Sequence, residues 1–169
     1  MAFNRINSLQ KKNYIMKRII IIAITFFLMM QISVQAQKAV GNPFPKGNEV
    51  TATFTGTVWL HPLVAKDSTF NLVAGSVTFE PGARSFWHTH QAGQILLITD
   101  GIGYTQEKGK PIRVIRKGEV ITCLPNIEHW HGASSASSMT HISLNPNAEK
   151  GVVTWLQPVT DEQYNGPKQ

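Results

Sequence analysis

Two pairs of histidines dominate the chemistry this sequence can do: His88 and His90, then His129 and His131, each spaced two residues apart. On a β-strand, residues i and i+2 share a face, so His88 and His90 project to one side while Trp87 and Thr89 project to the other. Gln94 follows beyond a turn, and the three donors can converge. Neutral imidazole is a common ligand of manganese, iron, nickel, copper and zinc. Histidines making ordinary hydrogen bonds in a core or on a surface are the competing reading. Two pairs, each beside Gly/Pro turns in a β-rich chain, favour a metal. A third candidate line is His141, Ser143 and Asn145, which share a strand face opposite Thr140, Ile142 and Leu144. A buried polar line needs partners or water, and a pocket supplies them. The plain alternative for His141 is a hydrogen-bonded barrel histidine.

The elements that must position these residues read as β-strands. Thr51 to Leu60 is dense in Thr, Val, Phe and Trp with alternating threonines, and Leu72 to Phe79 follows before a Pro81-Gly82 turn. Ser85 to His90 and Gln94 to Thr99 are further expected strands, the second closed by Asp100-Gly101. Gly103 to Gln106 and Ile112 to Ile115 flank a turn at Lys108-Gly109-Lys110. Val120 to Leu124, His129 to Gly132 and Met139 to Leu144 complete the series. Short strands separated by turns every 8–12 residues indicate an all-β sandwich or closed barrel. One short helix is expected near the end, where Thr160 and Gln163 have capping-box spacing and Asp161-Glu162 favour the first turn.

Charge narrows the function classes. The formal net charge is +6, but residues 1–36 carry Arg5, Lys11, Lys12, Lys17 and Arg18 with no acidic residue, which leaves +1 for the rest. The basic balance therefore belongs to a leader, and nucleic acid is not an expected partner. Lys17-Arg18, the apolar run Ile19 to Met30 and Val34-Gln35-Ala36 have the form of a secretory signal, with cleavage expected after Ala36. Met16 is an alternative start. The apolar run is shorter than the roughly 20 residues that span a bilayer, so no stable membrane insertion is expected after processing. The expected organisation is a signal peptide over 1–36, an extended arm over 37–48 and one domain over 49–169. The expected location is periplasmic or secreted. Cys123 is the sole cysteine, so no intramolecular disulfide can form, and its apolar surroundings suggest a buried, inert thiol.

The histidine-bearing segments resemble the cupin motifs. Gly82, His88, His90 and Gly101 fall in register with the first motif, G-x5-H-x-H-x3-4-E-x6-G, with Gln94 at the glutamate position. Gly118, Pro125 and His129 match the second motif, although Asn126 replaces its usual glycine and one extra residue precedes the proline. The resemblance implies a small jelly-roll barrel with His88, His90, Gln94 and His129 as metal ligands. An amide in place of a carboxylate makes such a site more cationic, a stronger Lewis acid and a weaker binder of divalent ions. His131 lies outside the minimal motif, as a fifth ligand or a supporting group.

The stretches FEPGARSFWHTH, GQILLITDG, IEHWHGA, SMTHISL and VTDEQY are similar to a group of bacterial cupins that includes manganese-dependent hydroxynitrile lyases. That resemblance implies Mn²⁺, with Fe²⁺, Ni²⁺ and Zn²⁺ as alternatives, and a small-molecule cyanohydrin cleaved to aldehyde and hydrogen cyanide. It places His141 as the group that removes or relays the hydroxyl proton, with Asn145 and His131 assisting the departing cyanide. Asn145 stands where the lyase group carries glutamine, one methylene longer. Gly75 and Val77 match small pocket-lining positions. Cupins often form homo-oligomers, and Thr51 to Leu60 is the expected edge. Two other readings remain: a metal-dependent oxygenase or isomerase, and a non-catalytic binder of small molecules.

Overall fold

A computed structural model of the chain describes residues 11–27, 42–67 and 69–168. Residues 11–27 are helical (α1), and no helix among the described residues is long and apolar enough to cross a membrane. The expected cleavage point at Ala36 and the start of the arm lie outside the described residues.

Residues from Gly41 onward form a separate unit built of strands. In chain order these are β1 (Asn48–Val50), β2 (Phe54–Thr55), β3 (Val58–Val64), β4 (Leu72–Phe79), β5 (Arg84–Ser85) and β6 (His88–Thr89). They continue as β7 (Gln94–Glu107), β8 (Arg113–Arg116), β9 (Val120–Cys123), β10 (His129–Ala133), β11 (Met139–Pro146) and β12 (Thr154–Trp155). A 3₁₀ turn, Ala148–Lys150, precedes β12, and a short helix α2 (Asp161–Tyr164) follows it.

All pairings between strands are antiparallel, and they make two layers that share β7. The first runs β1-β3-β4-β11 and then the leading half of β7, which also pairs with β9. The second joins β12, β6, β10, the trailing half of β7 and β8, with β5 and β2 continuing beyond β10. A strand that belongs to both layers is the corner of a jelly roll. Gly101 makes that corner: its φ is 74°, and a β-carbon there would collide with the Ser138 carbonyl oxygen.

This corner corrects one expectation. Asp100-Gly101 reads as a turn between two strands, yet Gln94–Glu107 is one strand that bends. Thr51 to Leu60 is not one strand either. A turn and Gly56, with φ 79°, split it into β2 and the start of β3, while β1 ends at Val50. Ser85 to His90 likewise divides into β5 and β6, but its alternation survives: His88 and Trp87 are both buried, on opposite faces. The capping box at α2 forms as expected. Thr160 Oγ1 accepts from the Gln163 backbone N–H at 3.2 Å, and Gln163 Oε1 accepts from that of Thr160 at 3.0 Å.

Two apolar clusters result. Val58, Val77, Phe79, Leu96, Ile98, Ile121 and Met139 fill part of the barrel between the layers. Trp87, Ile112, Trp130, Val159 and Tyr164 pack on the outer face of the second layer, beneath the C-terminal segment. Arg84 ties that segment down, donating to the Val159 carbonyl at 3.1 and 3.0 Å and to Asp161 at 2.6 Å. The apolar residues between the layers leave the interior near β6, β10 and β11 to buried polar side chains.

Candidate metal centre

β6 and β10 pair with His88 opposite His129, so two of the histidines meet by strand register. Their ring centroids are 4.3 Å apart. His90 lies 5.1 Å from His88 and 5.4 Å from His129 by the same measure. All three are buried, as is Gln94 at the start of β7.

The hydrogen bonds decide which atoms face inward. His88 Nδ1 is 2.8 Å from the Phe86 carbonyl, and His129 Nδ1 is 2.9 Å from that of Ile127. His90 Nδ1 is 2.5 Å from the Val152 carbonyl. A carbonyl only accepts, so each ring carries its proton on Nδ1 and keeps a lone pair on Nε2. His90 Nε2 and His129 Nε2 are buried without a partner, and so is Gln94 Oε1. Unpaired buried acceptors are costly and rare in folded proteins. Several among adjacent rings are what a cation would complete, and imidazole nitrogens with an amide oxygen are donors that suit a divalent metal.

His131 enters more closely than its motif position implies. Ligand atoms of His88, His129 and His131 all lie within 4.8 Å of one another, and the Nδ1 of His131 has no partner. His131 also stands against His141, with ring centroids 4.9 Å apart, and His141 has both nitrogens unpaired. Burial holds every one of these imidazoles below the usual histidine range, His90 to about 4 and His141 to about 3. All five are therefore neutral at neutral pH, the form in which imidazole binds metal or accepts a proton.

A cavity of about 430 Å³ opens beside them. His88, His90 and Gln94 face it, together with His131, His141, Ser143 and Asn145. The polar line expected on β11 therefore does point inward. Gly75 and Val77 line the same cavity, although the space beside Gly75 is shared: Leu60 Cδ1 is 2.9 Å from where a β-carbon would stand. Asn145 faces the same cavity. Its Oδ1 accepts from Gln94 Nε2 at 3.2 Å, and its Nδ2 donates to the Val73 carbonyl at 3.4 Å, so its amide is engaged at both ends.

Sequence reasoning missed the rest of the wall. Phe54, Phe79 and Trp155 form an aromatic side, with centroid distances of 5.9 Å and 5.5 Å along the row. Trp155 sits 4.9 Å from the His88 ring because β12 pairs with β6. No alternation around Trp155 signals this. Cys123 is buried, and burial pushes its thiol up to about 12, with Glu107 adding to the shift, so the thiol is inert at neutral pH.

Asn126 explains a departure from the motif. Its φ is 61°, a left-handed conformation that asparagine tolerates better than other side chains, so it can stand where glycine is usual.

A two-layer antiparallel barrel with histidines from β6 and β10 facing its interior defines a cupin. The chain belongs to the cupin superfamily and, within it, to the mandelonitrile lyase-like group. It is 43% identical over 111 residues to an (R)-mandelonitrile lyase of Granulicella tundricola, covering 66% of this chain and 85% of that protein. A cupin-like protein of Thermotoga maritima superposes with a TM-score of 0.71 at 42% identity, over 73% of this chain and 94% of that one. A cupin-2 domain protein of Rhodospirillum rubrum shares the fold at 16% identity, with a TM-score of 0.54 over 69% and 79% of the two chains. No family model matches the sequence.

Proposed function

We propose that this protein is an exported, metal-dependent hydroxynitrile lyase that interconverts a cyanohydrin with an aldehyde and hydrogen cyanide. One observation carries the reading. Unpaired acceptors of His90 and Gln94 face a largely apolar cavity that also holds the unpaired His131 and His141, and the unpaired His129 ring packs against His88 and His90 behind them. The relative named (R)-mandelonitrile lyase supports the reaction class. Export rests on the composition of residues 1–36.

His88, His90, Gln94 and His129 would hold the metal, with manganese favoured by resemblance to the lyase group. A metal held there would supply Lewis acidity. The chain's own residues do the rest. Phe54, Phe79, Val77 and Trp155 receive the organic group of the substrate and exclude water. His141, neutral and unpaired, takes the hydroxyl proton as the bond from carbon to cyanide breaks and the carbonyl forms. An imidazolium is disfavoured at full burial, so the proton does not stay. His131, next to His141, offers the path by which it reaches cyanide, which leaves as neutral hydrogen cyanide. No charge is left behind in the apolar cavity.

The donor set bears on the oxygenase alternative. Neither the four expected ligands nor the described residues lining the cavity include a carboxylate, whereas the facial triad of iron oxygenases uses one. The test is cleavage of racemic mandelonitrile by the manganese-loaded protein. Benzaldehyde release is expected to fall roughly 100-fold or more in His141→Ala, with metal content unchanged. Metal binding with no cleavage by the unaltered protein would remove the lyase reading.

A further inference from the structure

We propose that Asn145 is a positioning residue that sets the polarity of the Gln94 amide, so that its oxygen, not its NH2, faces the three histidines. The proposal rests on the reading of Gln94 as a metal ligand and extends it to the group that makes an amide usable there.

A glutamine amide is ambiguous in a way a glutamate is not. Turned one way it presents a lone pair, turned the other way two N–H donors, and a donor cannot ligate a cation. The neutral rings nearby favour the wrong choice in the absence of metal. His90 Nε2 and His129 Nε2 are unpaired acceptors that an inward NH2 would satisfy. Something must hold the amide against that pull.

Asn145 does so through a fixed acceptor. Strands β4 and β11 pair with Val73 opposite Asn145. The Val73 carbonyl can only accept, so it takes a hydrogen bond from Asn145 Nδ2 at 3.4 Å. That leaves Asn145 Oδ1 directed at Gln94, where it accepts from Nε2 at 3.2 Å in a buried bond. Gln94 Oε1 is then left inward and unpaired. Reversing both amides would set Asn145 Oδ1 against the Val73 oxygen, two acceptors with no proton between them. The polarity therefore runs one way, from backbone carbonyl to Asn145 to Gln94.

The same chain assigns a reason for pairing an amide at 145 with an amide at 94. A carboxylate at 94 has no N–H to give, so the Asn145 oxygen would face it unfavourably and the asparagine would have to turn away from Val73. The two positions are thus coupled through one hydrogen bond.

The experiment measures Mn²⁺ affinity by chelator competition for the unaltered protein, Asn145→Leu, Gln94→Ala and the double variant, with the melting temperature of each metal-free form. Asn145→Leu is expected to weaken Mn²⁺ binding about tenfold or more where Gln94 is present. In the Gln94→Ala background the same substitution should change affinity less than about twofold, because the ligand it orients is gone. Equal loss in both backgrounds would mean a merely structural role and overturn the proposal, as would no loss in either. Asn145→Ala replaces the leucine variant if the latter does not fold. An unaltered protein that binds no Mn²⁺ would instead defeat the reading of the metal site itself, an outcome distinct from binding that ignores residue 145.

Discussion

The two faces of β10 carry adjacent residues with opposite fates. Trp130 points outward, and its Nε1 donates to Gln106 Oε1 at 2.8 Å. Around it Trp87 Nε1 donates to Gln163 Oε1 at 3.2 Å, and the Tyr164 hydroxyl donates to the Ala133 carbonyl at 2.8 Å. These large side chains of the outer cluster all have their polar atoms paired. His129 and His131 point inward from the same strand, and each has a buried nitrogen with no partner, as do His90 and His141 nearby. One side of the strand is finished as a core is finished, while the other is left open for something to bind. Unsatisfied groups on one face of a strand whose other face is satisfied separate function from stability more sharply than residue type does.

The largest expected effect that sharpens this contrast is on the finished face. Trp130→Ala should destabilise the fold by about 3–5 kcal/mol through loss of apolar contact and a hydrogen bond, read by denaturant unfolding. A loss below about 1 kcal/mol would mean that the outer cluster is not a stabilising core. Acid comes next and acts on the open face. His90 and His141 titrate near 4 and 3 in the folded protein, below the value near 6.5 of an unfolded chain. The unfolded state therefore binds more protons below pH about 6.5, so stability falls as pH drops from there toward 4. The loss from His90 alone is on the order of 3 kcal/mol, and it levels off once the folded ring is also protonated. Flat stability of the metal-free protein between pH 6.5 and 4 would contradict the neutral, buried assignment.

The smallest effect is the most discriminating. Tyr164→Phe should cost about 1 kcal/mol, since it leaves the buried Ala133 carbonyl without its donor. His141→Leu removes two nitrogens that have no partner, and the metal-free protein should keep or slightly raise its melting temperature while losing activity. If His141→Leu destabilises as much as Tyr164→Phe, the two faces do not differ in the way described.

How much of this the sequence disclosed follows from distance along the chain. His88 and His90, and again His129 and His131, announce a shared face because two-residue spacing is local and the strand imposes it. The inward line of His141, Ser143 and Asn145 is legible for the same reason. The bond between Gln94 and Asn145 spans 51 residues, and that between His90 and the Val152 carbonyl spans 62, so neither leaves a local trace. Trp155 reaches His88 through a two-residue strand too short to show alternation. Asp100-Gly101 misleads because a glycine that bends one strand across two layers has the same local signature as one that ends it.

Metal content tests most directly whether the open face holds a metal. The full chain, stripped with chelator and reloaded with manganese, should retain about one ion per chain after desalting, and His129→Ala should retain almost none. Retention of no ion by the unaltered protein, or equal retention by both, would contradict the assignment of His88, His90, Gln94 and His129.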